Sequence, residues 1–204
     1  MKLEPAATEC AARVAVVAWP EAELASLVEA NEAVVCCARA QNDRRALDGI
    51  AREILRAALG GASDVDISCN ANGKPFLAAH TPAMPLNFNI SHSGDAIVVA
   101  LSRTAEVGVD IERVRTVPEW RAVAARVFDE RSRNELLAEI ACGADEDDAF
   151  IRHWCRMEAA VKATGEGIFG RDTPGRATPR VLDLPSLPIP PGAARYRGAL
   201  AIRP

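Results

Sequence analysis

Asp110 and Glu112 stand two residues apart in Val107-Gly108-Val109-Asp110-Ile111-Glu112. On a strand, residues i and i+2 share a face. The two carboxylates are therefore neighbours, and Val109 and Ile111 turn the other way, towards a core. Adjacent carboxylates repel unless a cation lies between them. An all-oxygen donor pair suits Mg²⁺ or Mn²⁺. The competing reading is a solvated strand edge.

A second segment carries Trp154, Glu158 and Lys162, each four residues from the next. On a helix they lie along one face. Glu158 could supply a third carboxylate, and Lys162 an ammonium for phosphate oxygens that the metal also touches. The plain alternative is a surface Glu–Lys pair contributing a few tenths of a kcal/mol. A third segment joins Gly73-Lys74-Pro75 to Ser91-His92-Ser93-Gly94. Lys74 leaves a turn as a flexible cation, and Ser91 and His92 end a strand at a Gly turn where donors can converge on an anion. Three acids, two lysines, one histidine and a Ser-Gly turn meet the needs of a Mg²⁺–pyrophosphate site. Such a site favours displacement at phosphorus by a positioned hydroxyl.

The elements that must hold these residues are legible in outline. Arg13–Trp19 reads as a strand, and residues 20–59 read as two or three helices, the last ended by Gly60-Gly61. Val65–Cys69 is a strand, followed by a turn at Asn70–Gly73 and an extended Lys74-Pro75. Asn87–His92 and Ala96–Ser102 form a hairpin, and Glu106–Glu112 is the metal-bearing strand. Helices follow at 118–127, 129–140 and 145–163, the last ended by Gly165, Gly167 and Gly170. Short strands are expected near Val181-Leu182 and over Tyr196–Ile202. Strands and helices are segregated, which predicts an α+β fold.

Composition bounds the rest. The 204 residues carry 24 Lys+Arg and 28 Asp+Glu, a net charge of −4. A general nucleic-acid binder would be basic, so nucleic acid is not the expected partner. No apolar run approaches the ~20 residues of a membrane span. The six cysteines have no metal-finger spacing and read as reduced, buried small hydrophobes in a cytoplasmic protein. Positive charge for an anionic ligand must be local.

Taken in order, these stretches resemble the 4′-phosphopantetheinyl transferases, most closely the larger monomeric, surfactin-synthetase-activating type. The matching stretches are Gly73-Lys74-Pro75, Phe88-Asn89-Ile90-Ser91-His92-Ser93, Val107–Glu112, Trp154–Lys162 and Gly165-Glu166-Gly167. The resemblance implies two similar α/β halves related by a pseudo-twofold axis, residues 1–104 and 105–204, with coenzyme A bound between them. It implies transfer of the phosphopantetheine arm from coenzyme A to a serine of an apo acyl or peptidyl carrier protein, releasing adenosine 3′,5′-bisphosphate. By position, Asp110, Glu112 and Glu158 would bind Mg²⁺ (or Mn²⁺), and His92 and Lys162 would hold the pyrophosphate. Gly73, Lys74 and Pro75 would line the adenine end, with Lys74 near a phosphate and Ser91 beside it. Arg44 or Arg45 would meet the 3′-phosphate, and Glu158 would act as base for the carrier serine. Arg113, Arg115, Arg121 and Arg126 offer a basic face to an acidic carrier. The pattern is departed from at Met157, where the family carries Lys, and at Ser132, where it carries Glu, and residues 28–38 contain no basic residue. A non-catalytic coenzyme A or carrier binder, or another Mg²⁺-dependent pyrophosphate enzyme, is the alternative.

Overall fold

The computed structural model describes residues 13–40, 43–61, 65–78, 85–165, 177–189 and 194–204. Its first part contains β1 (Val14–Ala18), α1 (Leu24–Ala30), β2 (Ala33–Arg39), α2 (Arg44–Ala58), β3 (Ile67–Cys69), β4 (Pro75–Leu77), β5 (Asn87–Ser93) and β6 (Ala96–Ser102). The rest contains β7 (Glu106–Arg113), α3 (Trp120–Val127), α4 (Glu130–Ala141), α5 (Glu146–Thr164), β8 (Arg180–Asp183) and β9 (Tyr196–Arg203). The fold is α+β, as expected. Gly167 and Gly170 of the expected helix stop lie outside the described residues.

Among the described residues there are three sheets, ordered β1-β2-β6-β5, β3-β4 and β7-β9-β8. β1 and β2 pair in parallel, and every other pair is antiparallel. One expectation fails here: residues 33–39, expected within a helical stretch, are the strand β2. Six of its seven residues are buried. A strand covered on both faces shows no polar alternation, so the Ala- and Cys-containing run does not announce its period.

Alternation is visible only in where the side chains go. Val34, Cys36 and Ala38 of β2, with Ile97, Val99 and Leu101 of β6, pack beside Leu47, Ala51, Ile54 and Leu55 of α2. Ala33, Val35 and Cys37, with Ala96, Val98 and Ala100, pack instead beside Val107, Val109 and Ile111 of β7 and Leu200 and Ile202 of β9. The second set is smaller, which suits two sheet faces meeting closely. This shared layer joins the first sheet to the third. A third cluster fixes α5 beneath its own sheet, with Phe150, Ile151, Cys155, Ala159 and Ala163 against Ala199 and Ala201.

Two cysteines correct the sequence reading. Cys36, Cys37 and Cys155 are buried, but Cys69 and Cys142 are exposed. Burial pushes the Cys36 and Cys37 thiols up to about 12, so both stay protonated and unreactive. Cys10 lies outside the described residues.

His153 on α5 is buried, and its ring lies tilted at 45° to Phe128, 6.4 Å between centroids. Its Nε2 lies 3.3 Å from Glu139 Oε1. Burial, then the Arg156 charge, lowers its affinity for a proton, and Glu139 only partly offsets them. The unfolded chain therefore binds that proton more readily than the folded one. This part of the stability is present above the ordinary histidine pKa and is lost as pH falls through it. His153→Gln is expected to narrow the gap in melting temperature between pH 7.5 and pH 5.5. Calorimetry at the two pH values checks it.

Candidate active site

Helix α5 brings its chemistry to β7 because both ends are specified. Asp145 caps its start by accepting from Asp148 N–H at 2.9 Å, and Glu146, Asp147 and Asp148 fill a first turn that favours negative charge. Gly165 ends it in the left-handed region at φ 67°. Between those ends the helix crosses β7 at Gly108. A Cβ there would stand 2.2 Å from both Ala159 O and Ala163 N. Only glycine lets the helix backbone come this close. That approach places Glu158 and Lys162 beside Asp110.

Strands β5 and β7 are tied together by side chains. Asn89, Ser91 and Ser93 occupy one face of β5. Asn89 Oδ1 accepts from Val109 N–H at 3.0 Å, Ser91 Oγ from Ile111 N–H at 3.3 Å, and Ser93 Oγ from Arg113 N–H at 3.0 Å. These N–H groups belong to the edge of β7 that faces away from β9. Both serines also donate, Ser91 to Asp110 Oδ1 at 2.9 Å and Ser93 to Glu112 Oε2 at 2.8 Å. One row of short polar residues thus satisfies a strand edge and aims both carboxylates. The alternation Asn-x-Ser-x-Ser was the available signal. The roles of Asn89 and Ser93 were not read from it.

Asp110 is buried. Lys162 Nζ sits 2.6 Å from its Oδ1 and 3.2 Å from Ser91 Oγ. Asp110 Oδ2 is buried without a hydrogen-bond partner. Such an atom is costly unless something else completes it. Desolvation, with Asp110 and Glu112 adding like charge, pushes the Glu158 carboxyl up, against the pull of Lys162. The three acids therefore sense one another. Among the described residues, however, no three His, Cys, Asp or Glu side chains form a ready metal-binding group. The unfilled Asp110 oxygen, the mutual repulsion and the oxygen-only donors fit a hard divalent cation.

The other candidates gather around a neighbouring cleft. His92 points away from Ser91 and Ser93, as strand alternation requires, and is exposed. It lines a cleft of about 700 Å³ with Arg44, Leu47, Arg52, Gly73 and Pro75. A smaller hollow of about 240 Å³ shares Gly73 and Pro75 and reaches Lys162. The structure so brings Arg44, Gly73, Pro75 and His92 together and extends their surface to Lys162. Arg45 lies exposed on α2 and lines neither space; its N–H is held by Asp43 at 2.9 Å. Lys74 Nζ donates to Ala163 O at 2.7 Å and lies 3.7 Å from Glu106.

The departures from the expected pattern lie elsewhere. Met157 and Ser132 line a separate cleft of about 620 Å³ with His153 and Arg156. Arg156, one residue before Met157, binds Asp183 at 2.7 and 2.5 Å. It is committed to that carboxylate. Arg121 is paired with Glu146 at 2.7 Å and stacks over Trp120.

Comparison with known proteins shows what this chain is similar to. The 4′-phosphopantetheinyl transferase superfamily profile matches residues 106–179, the stretch that contains β7 and α5. The chain is 34% identical over 122 residues to 4′-phosphopantetheinyl transferase HetI of Nostoc sp., covering 57% of this chain and 51% of the relative. It is 45% identical over 93 residues to 4′-phosphopantetheinyl transferase AcpT of Salmonella typhi, covering 46% of each. It is 38% identical over 98 residues to 4′-phosphopantetheinyl transferase psf-1 of Bacillus pumilus, covering 48% of this chain and 38% of the relative. The chain spans about half the length, or less, of these curated relatives. The Asp110, Glu158 and Lys162 cluster lies inside residues 106–179, the stretch that is similar to the 4′-phosphopantetheinyl transferase superfamily.

Proposed function

We propose that this protein is a 4′-phosphopantetheinyl transferase of the surfactin-synthetase-activating type. It moves the phosphopantetheine arm of coenzyme A to a serine of an apo acyl or peptidyl carrier protein. The observation that carries the reading is the buried, half-satisfied Asp110 held against Lys162 beside a cleft lined by Gly73, Pro75 and His92. The halves 1–104 and 105–204 act as counterparts, the first receiving the nucleotide and the second the reacting phosphate, within one monomer. The protein works in the cytoplasm, where coenzyme A and carrier proteins meet.

Asp110, Glu112 and Glu158 would hold Mg²⁺ or Mn²⁺, which would draw off charge from the pyrophosphate as the bond to the leaving group breaks. Ser91 and Ser93 fix two of those carboxylates before substrate arrives, so little reorganisation remains. Lys162 moves from Asp110 to share its charge with a phosphate oxygen, and His92 donates from the cleft wall. Arg44, exposed and only 3.9 Å from Asp48, meets the 3′-phosphate at the far end. Glu158 takes the proton from the carrier serine. It sits one helical turn before Lys162 on the same face of α5.

Incubation with coenzyme A, Mg²⁺ and a panel of apo carriers is expected to raise a carrier's mass by about 340 Da, one phosphopantetheine on one serine. A panel that stays unmodified while coenzyme A binds would favour a non-catalytic binder. Breakdown of coenzyme A without any carrier would favour a pyrophosphate hydrolase.

A further inference from the structure

The loop before β4 does more than line the cleft. Asn70 Oδ1 accepts from both Asn72 N–H and Lys74 N–H at 2.9 Å, which sets the loop's shape. From that loop Asn72 Nδ2 donates to Gly165 O at 2.9 Å, and Lys74 Nζ donates to Ala163 O at 2.7 Å. Both accepting carbonyls belong to the end of α5, where carbonyls lack partners within the helix. The Lys74 charge also suits the negative end of the helix. Its stem packs so tightly that a Cβ on Gly165 would lie 2.8 Å from Lys74 Cδ. Glu106, at the start of β7, holds the same ammonium from the other side at 3.7 Å.

We propose that Lys74 and Asn72 are positioning residues that latch the coenzyme A loop to the C-terminal turn of α5 and so set the height of Lys162 and Glu158 over the reacting phosphate. This rests on the transferase reading above and assigns the Lys74 side chain to the helix end rather than to a phosphate. The latch links the nucleotide-side wall, Gly73 and Pro75, to the catalytic helix across 89 residues of chain. Loading the cleft and seating the catalytic helix become one event.

Two measurements on Lys74→Met and Asn72→Ala test it. The first is hydrogen exchange of the backbone amides of the last turn of α5 in the free protein, which needs no activity. Both variants are expected to speed that exchange about fivefold or more while the rest of the third sheet keeps its protection. The second is steady-state transfer with coenzyme A and with dephospho-coenzyme A. Lys74→Met is expected to lower kcat about tenfold with KM changed less than threefold, equally for both substrates. A Lys74 that grips phosphate would instead raise KM for coenzyme A with kcat intact, and that result would overturn the latch. Unchanged exchange at the end of α5 in both variants would overturn it too. Wild-type protein that transfers nothing would overturn the transferase reading alone, because the exchange experiment still reads the latch.

Discussion

Gly108→Ala is expected to lower stability by about 3 kcal/mol or more and to remove transferase activity. The added methyl would meet Ala159 O and Ala163 N at 2.2 Å. Both are backbone atoms of one helix, so no side-chain rotation relieves the contact. The helix must lift from β7 along the stretch that carries Glu158 and Lys162. Lifting it also opens the packing of Cys155, Ala159 and Ala163 against Ala199 and Ala201. Urea unfolding followed by circular dichroism checks the stability. A variant within about 0.5 kcal/mol of the parent would show that α5 does not rest on Gly108, and the site geometry would need another origin.

Asp110→Asn is expected to separate chemistry from folding. The amide keeps the shape of the side chain, and its oxygen can still accept from Ser91. The negative charge opposite Lys162 is lost, and so is the oxygen with no partner. Transfer should fall by about 10²-fold or more, because a phosphate displacement depends on charge held in place before the reaction. Melting temperature should shift by no more than a few degrees, since the loss of buried Asp110's charge opposite the partly exposed Lys162 is offset by the end of its repulsion with Glu158. Glu158→Ala should match it in rate. Full activity in either variant would remove that carboxylate from the site.

The parts of this arrangement that were legible are those with a local period. Trp154, Glu158 and Lys162 repeat every four residues, and α5 carries all three on one helix. Asp110 and Glu112 alternate with Val109 and Ile111, and their partners divide accordingly: Val109 and Ile111 join the core, while Asp110 and Glu112 accept from Ser91 and Ser93. The hairpin around Gly94 and Asp95 pairs Ser93 with Ala96, as its turn residues require. What escaped was decided by long-range packing. β2 is covered on both faces, so its sequence has no polar rhythm to read. Gly108 looks like a small residue in a strand until α5 lies across it. Lys74 reads as a free cation after a turn, and only the fold reveals the carbonyl 89 positions away that it holds. Asn89 and Ser93 gain their meaning from the N–H groups of β7, twenty residues further along.

The same packing explains how an acidic chain can receive an anionic substrate. Its net charge is −4, yet part of that excess is gathered at Asp110, Glu112 and Glu158, where a divalent cation would neutralise it. The cleft beside them is lined by Arg44 and His92 and leads to Lys162. Field and metal act locally, and the average charge of the surface matters little.

The central claim is transfer, and stoichiometry tests it most directly. Purified protein, coenzyme A, Mg²⁺ and an apo carrier should yield holo-carrier and adenosine 3′,5′-bisphosphate in equal amounts, measured together by mass spectrometry and chromatography. Chelation of the metal should stop both. Bisphosphate formed without holo-carrier, or no change in any carrier under these conditions, would contradict the account.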